Sequence, residues 1–133
     1  EGYIMSDQFF VEMRSGKPFE AVTRAIEENS AANSFRVLAV HDVQQTLAEK
    51  GLDRDPLKII EVCNAVFAHG ALKKNIDVAL FMPCRYSVYT EGSETVVKLN
   101  RPTMISEMMP EAGLDELAAD VEKTLTKIMQ ESV

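Results

Sequence analysis

Apolar and polar positions change their period several times along the chain, and each change marks an expected element. Gln8 to Met13, with Phe9, Phe10 and Val11, reads as a strand broken by Gly16. Pro18 then opens a helix in which Phe19, Val22 and Ile26 recur at helical spacing to about Glu28. Asn29 to Ser34 is expected as a polar connector. Phe35 to Val40 follows as a strand with little polarity on either face, which predicts a central or doubly covered position. Asp42, with Gln45 three residues on, has the form of an N-cap to a short helix carrying Val43 and Leu47 and ending at Gly51.

Leu57 to Cys63 is the next strand, and Asn64 can cap the helix that carries Ala68, Ala71 and Leu72. Val78 to Thr90 alternates as one long strand, with a bulge, bend or edge at Pro83, which lacks an amide donor. Glu91-Gly92-Ser93 signals a hairpin returning along Thr95 to Leu99. Met104 to Pro110 reads as irregular. Leu114, Leu117, Ala118, Val121, Leu125 and Ile128 then mark an amphipathic helix. The order predicts an α+β fold of two layers, an antiparallel-rich sheet packed by helices, in one domain over residues 9–133, with residues 1–8 as an N-terminal extension.

Composition narrows the function classes. The chain has 133 residues, of which 46% are hydrophobic, enough for one core. It lacks the run of about 18 apolar residues that a membrane span needs, so a soluble protein is expected, in the cytoplasm or as a processed secreted form. The net charge of −7 and a single adjacent basic pair, Lys73-Lys74, argue against nucleic acid as a partner. Acid is concentrated at the ends: residues 35–101 carry 9 basic and 8 acidic side chains, whereas residues 102–133 carry 2 and 7.

Phosphate-binding, nucleophile-elbow, zinc-finger and dinucleotide motifs are all missing from the chain. The reactive or polar side chains set in apolar strands are Cys63, Cys84, His41, Glu61, Asn64 and Arg85. Cys63 stands before a helix N-terminus, where a thiolate is favoured, although a buried cysteine packs as a small hydrophobe. Glu61 shares its strand face with Cys63, and the strand pattern sets His41 on one face with Phe35 and Val37, so a Cys-His-Glu cluster is conceivable as a nucleophile and base or as a mixed-ligand metal set. The simpler reading makes Asp42 and Asn64 helix caps and Arg85 an outward strand residue; the functional alternative has Arg85 hold a small anion such as a carboxylate or phosphate. His69 is expected in solvent. Met104, Met108 and Met109 suit loose core filling, a dimer contact or the rim of a ligand site.

The run Ile60-Glu61-Val62-Cys63-Asn64 with Ala68 and Leu72, then Met82-Pro83-Cys84-Arg85 with Val88-Tyr89 and Arg101-Pro102, resembles the domain of unknown function 302 family. Phe35 to Val43 and Leu47 fit the same pattern, so the resemblance runs from about Phe9 to the C-terminal helix. Ala65 stands where members usually carry proline. The resemblance implies a bacterial or archaeal domain of β-α-β4-α order similar to the TATA-binding-protein fold, often dimeric, with no assigned activity.

The combined expectation is a non-catalytic homodimeric domain that binds a small ligand or senses thiol redox state near Cys63, Asn64, Cys84, Arg85 and Glu61. No resident metal is expected, and no cofactor is assigned. The alternatives are a cysteine-dependent enzyme using Cys63 or Cys84 with His41, and a purely structural interaction module.

Overall fold

The computed structural model describes Tyr3–Met5 and residues 9–133. Strands β1 (Tyr3–Met5), β2 (Phe10–Ser15), β3 (Arg36–Asp42), β4 (Leu57–Cys63), β5 (Cys84–Glu91) and β6 (Glu94–Asn100) form one antiparallel sheet in the order β1-β2-β6-β5-β4-β3. Helices α1 (Phe19–Ala32), α2 (Val43–Ala48), α3 (Ala65–Lys74), α4 (Met104–Met108) and α5 (Asp115–Ser132) complete the fold, with 3-10 turns at Ile76–Phe81 and Pro110–Ala112. Of the residues 1–8 read as an extension, Tyr3–Met5 pair with β2 and the others lie outside the described residues. The two-layer α+β expectation holds.

Strand alternation builds the core. Val11 and Met13 on β2, Ile60 and Val62 on β4, Tyr86 and Val88 on β5, and Val97 and Leu99 on β6 turn one face toward the helices. Against them lie Val22 and Ile26 of α1 and Val121, Leu125, Ile128 and Met129 of α5, all buried. The amphipathic stripe expected for the last helix is thus the one that packs. Tyr86, large and with no exposed surface, places its hydroxyl on the Leu125 carbonyl at 2.7 Å, which satisfies the one polar atom it brings into the core.

The other face of the sheet carries charge. Arg14 pairs with Glu12, Glu91 and Glu94 at 2.8, 2.7 and 3.1 Å, and the Lys98 ammonium lies over the rings of Phe10 and Tyr89. These stems and rings cover Val96, which has no exposed surface despite pointing away from the helices.

Five local expectations are corrected. The first strand is shifted to Phe10–Ser15. Helix α1 runs through the polar Asn29–Ser30 to Ala32, because Ser30 and Ser132 are buried between α1 and α5, and Asn29 Nδ2 donates to Ser132 Oγ at 3.0 Å. β3 is an edge strand with Leu38 and Val40 exposed, not a covered one; its apolar sequence meets solvent because only β4 pairs with it. Residues 76–81 form a 3-10 turn started by Asn75, whose side chain accepts from the Asp77 amide at 2.8 Å, and the strand begins only at Cys84, after a cis Met82-Pro83 bond. Residues 104–108 form a short helix instead of an irregular segment.

Candidate functional site

The six residues singled out by the sequence divide between two faces of the sheet. In the ladder of β4 and β5, Val62 stands opposite Cys84 and Glu61 opposite Arg85. Val62 and Cys84 therefore point toward the helices, while Glu61 and Arg85 point to the open face. Arg85 is exposed, as expected for an outward residue.

His41 joins Glu61 on the open face, for a reason that alternation alone does not supply. A bulge between Val37 and Ala39 inserts Leu38 into β3, so Val37 pairs with Val62 but Ala39 pairs with Glu61 and His41 with Ile59. The bulge reverses the phase, and His41 does not share the face of Phe35 and Val37. Its Nε2 lies 3.4 Å from Glu61 Oε2. The position opposite His41 is four residues before Cys63, about 13 Å along the strand. Cys84 is on the other face. The structure brings His41 to Glu61 and to neither thiol, so the Cys-His-Glu cluster does not assemble. Among the described residues no group of three His, Cys, Asp or Glu side chains is placed to hold a metal ion.

Cys63, Asn64 and Cys84 all border one cavity of about 70 Å³ between the sheet, α3 and α5. Its walls are Phe35, Val62 and Phe67 on one side, Met82, Pro83 and Phe81 on the second, and Leu117, Ala118 and Val121 of α5 on the third. Asn64 contributes backbone order. Its Oδ1 accepts from the Phe67 amide at 3.0 Å, capping α3, and its Nδ2 donates to the Ser34 carbonyl at 3.0 Å. Ser34 itself takes a left-handed φ of 65°, which turns the end of α1 into β3. The amide is spent on backbone, leaving the Cys84 thiol as the reactive group that faces the cavity.

The two thiols differ. Burial pushes the Cys84 thiol up to about 11, nearby Cys63 adds to the rise and Arg85 opposes it. Cys84 is a neutral S–H at physiological pH, not a thiolate nucleophile. Cys63 is the diagonal neighbour of Cys84 across the ladder, with a Cα separation of roughly 6 Å from strand geometry. Alternation nevertheless sends their Cβ atoms to opposite faces, and both are free.

Residues 11–132 match the family model described as Domain of unknown function DUF302. The chain belongs to this family. The DUF302 chain is also similar to a crystal structure of an uncharacterised conserved DUF302 protein from Bacillus stearothermophilus, with 34% identity over 94% of this chain and 98% of that one and a TM-score of 0.88. No curated protein matches it. Among the described residues no helix is long and apolar enough to cross a membrane. In this DUF302 chain the sequence motif and the cavity coincide: Val62-Cys63-Asn64 and Met82-Pro83-Cys84 lie side by side along its wall. Sequence reasoning missed Phe67 and Leu117, whose only signal is an apolar place on a helix face.

Proposed function

We propose that this domain is a non-catalytic binding module that takes a small apolar ligand into the cavity beside Cys84. The observation that carries the reading is the composition of the walls: apolar side chains from β4, the Met82-Pro83 turn and α5 surround a space beside a thiol kept protonated by burial. A space lined this way rewards an apolar guest, and at about 70 Å³ it suits a molecule smaller than benzene. A cysteine enzyme finds less support, because His41 is remote from both sulfurs and Cys84 carries its proton. Thiol redox sensing also finds less, because Cβ atoms that point apart need backbone movement before a disulfide closes.

Xenon is the direct probe. Under xenon pressure the amide and methyl NMR signals of Phe67, Cys84 and Leu117 should shift, and Ala118→Leu, which fills the space, should abolish the shifts. Absence of any shift at these residues in the unmodified protein refutes the reading.

The homodimer rests on a separate feature. β3 leaves one row of backbone hydrogen-bonding groups unpaired beside the exposed Leu38 and Val40, and a second copy could extend the sheet there. Light scattering that reports a monomer at high concentration would remove it.

A further inference from the structure

Leu80 is the most exposed large apolar side chain among the described residues, at 84%, and Ile76 on the same 3-10 turn is 70% exposed. The three-residue period of the turn is the cause. Val78 packs on Ala71 and Leu114, and Phe81, three residues on, follows it inward, which leaves Ile76, Ala79 and Leu80 in solvent. Phe81 forms one wall of a recess of about 240 Å³ whose other apolar walls include Phe9, Ile105 and Met104. Phe9 and Met108, both largely exposed, stand at its rim. A projecting leucine thus adjoins an apolar recess at the surface, an arrangement that marks an interaction site.

Charge identifies the occupant. Lys73 and Lys74 end α3 beside the turn, while Glu107 and Glu111 lie on either side of Met108 at the recess. All four are exposed, and none forms an ion pair or side-chain hydrogen bond among the described residues. Asp77, exposed on the same turn, leaves the lysine end with a net positive charge. We propose that this face is a two-fold contact with a second copy of the chain, in which Leu80 of each copy enters the recess of the other. A two-fold axis reverses the direction of the face, so the basic end of each copy meets the acidic end of its partner and both knobs are accommodated at once. Phe9, Phe81 and Met108 supply the aromatic and thioether contacts that enrich the centre of such interfaces. The contact lies apart from the β3 edge, and a copy engaged at both would assemble beyond a dimer.

The test is a charge exchange on the full chain, read by sedimentation equilibrium. One variant carries Lys73→Glu with Lys74→Glu, the other Glu107→Lys with Glu111→Lys. The unmodified protein should self-associate, more weakly as salt is raised. Each variant alone, with one sign at both ends, should dissociate about tenfold more readily or worse. An equimolar mixture should restore the association, because the all-acidic face of one then complements the all-basic face of the other. Leu80→Asp should weaken it in the unmodified background and in the mixture. Self-association that no variant alters belongs to another face, such as β3, and overturns this proposal alone. A mixture no tighter than either variant overturns the two-fold arrangement, and a monomer throughout overturns this contact and the one through β3 together.

Discussion

His41 Nε2 lies 3.4 Å from Glu61 Oε2 on the open face of the sheet, on the side of β4 away from Cys84. The pair is a surface contact, half exposed at the histidine, and its worth to stability is at most about 1 kcal/mol. The consequence for chemistry is larger. Replacing His41 with alanine should leave the pH dependence of alkylation of Cys63 and Cys84 unchanged. A thiol whose reactivity falls at neutral pH in His41→Ala would restore the cysteine-enzyme reading.

The protonated Cys84 thiol couples to stability at high pH. Its value rises from 9.0 to about 11 on folding. Below pH 9 the folded and unfolded chains both hold the proton. Between pH 9 and about 11 only the unfolded chain releases it, so stability falls as pH rises and levels off above the folded value. Two units correspond to about 2–3 kcal/mol. Tyr86, also raised by burial, titrates with the same sign, so the comparison needs a variant. Denaturant unfolding of Cys84→Ala should show a shallower loss over this range than the unmodified protein, and equal slopes would contradict the assignment.

Asn64 ties three elements by two hydrogen bonds. Asn64→Ala removes the cap on the Phe67 amide and the bond to the Ser34 carbonyl, and should destabilise the domain by about 1–2 kcal/mol in urea unfolding. Asn64→Asp keeps the cap acceptor and loses only the bond to Ser34, so it should recover part of the loss. If the two variants are equally destabilised, the cap is not the important contact.

Tyr86→Phe deletes the hydroxyl that reaches Leu125 and keeps the ring in the core. The expected cost is about 1 kcal/mol, read from the same unfolding experiment. A neutral or stabilising result would mean that the Leu125 carbonyl needs no partner beyond its own helix.

Much of the secondary structure was legible from local patterns. The strand Leu57–Cys63 and the cap residues Asp42 and Asn64 were readable because caps and β-branched runs act through neighbours in sequence. The hairpin at Gly92-Ser93 was readable because a two-residue loop with Gly92 at φ 61° joins two alternating runs. Residues 76–83 were misread because Val78, Leu80 and Met82 fit a period of two, yet Val78 packs with Ala71 and Leu114 while Leu80 stays exposed. A period cannot distinguish a short turn from a strand when the deciding contact comes from α3 and from the residue that precedes α5.

The candidate site was legible only in part. Cys63, Asn64 and Cys84, grouped by their motifs, border one cavity, while His41, Glu61 and Arg85, grouped with them, are turned to the other face of the sheet. What the amino-acid sequence determined by itself is the class of fold, the caps and the face of α5 that packs, all consequences of spacing within one element. Only the tertiary structure decided that β3 lies at the edge, that one inserted residue at Leu38 carries His41 to the open face, and that the Asn100 side-chain oxygen is buried without a partner among the described residues. Each of these depends on which strand or helix stands opposite, and the pairing of residues far apart along the chain leaves no local period to read.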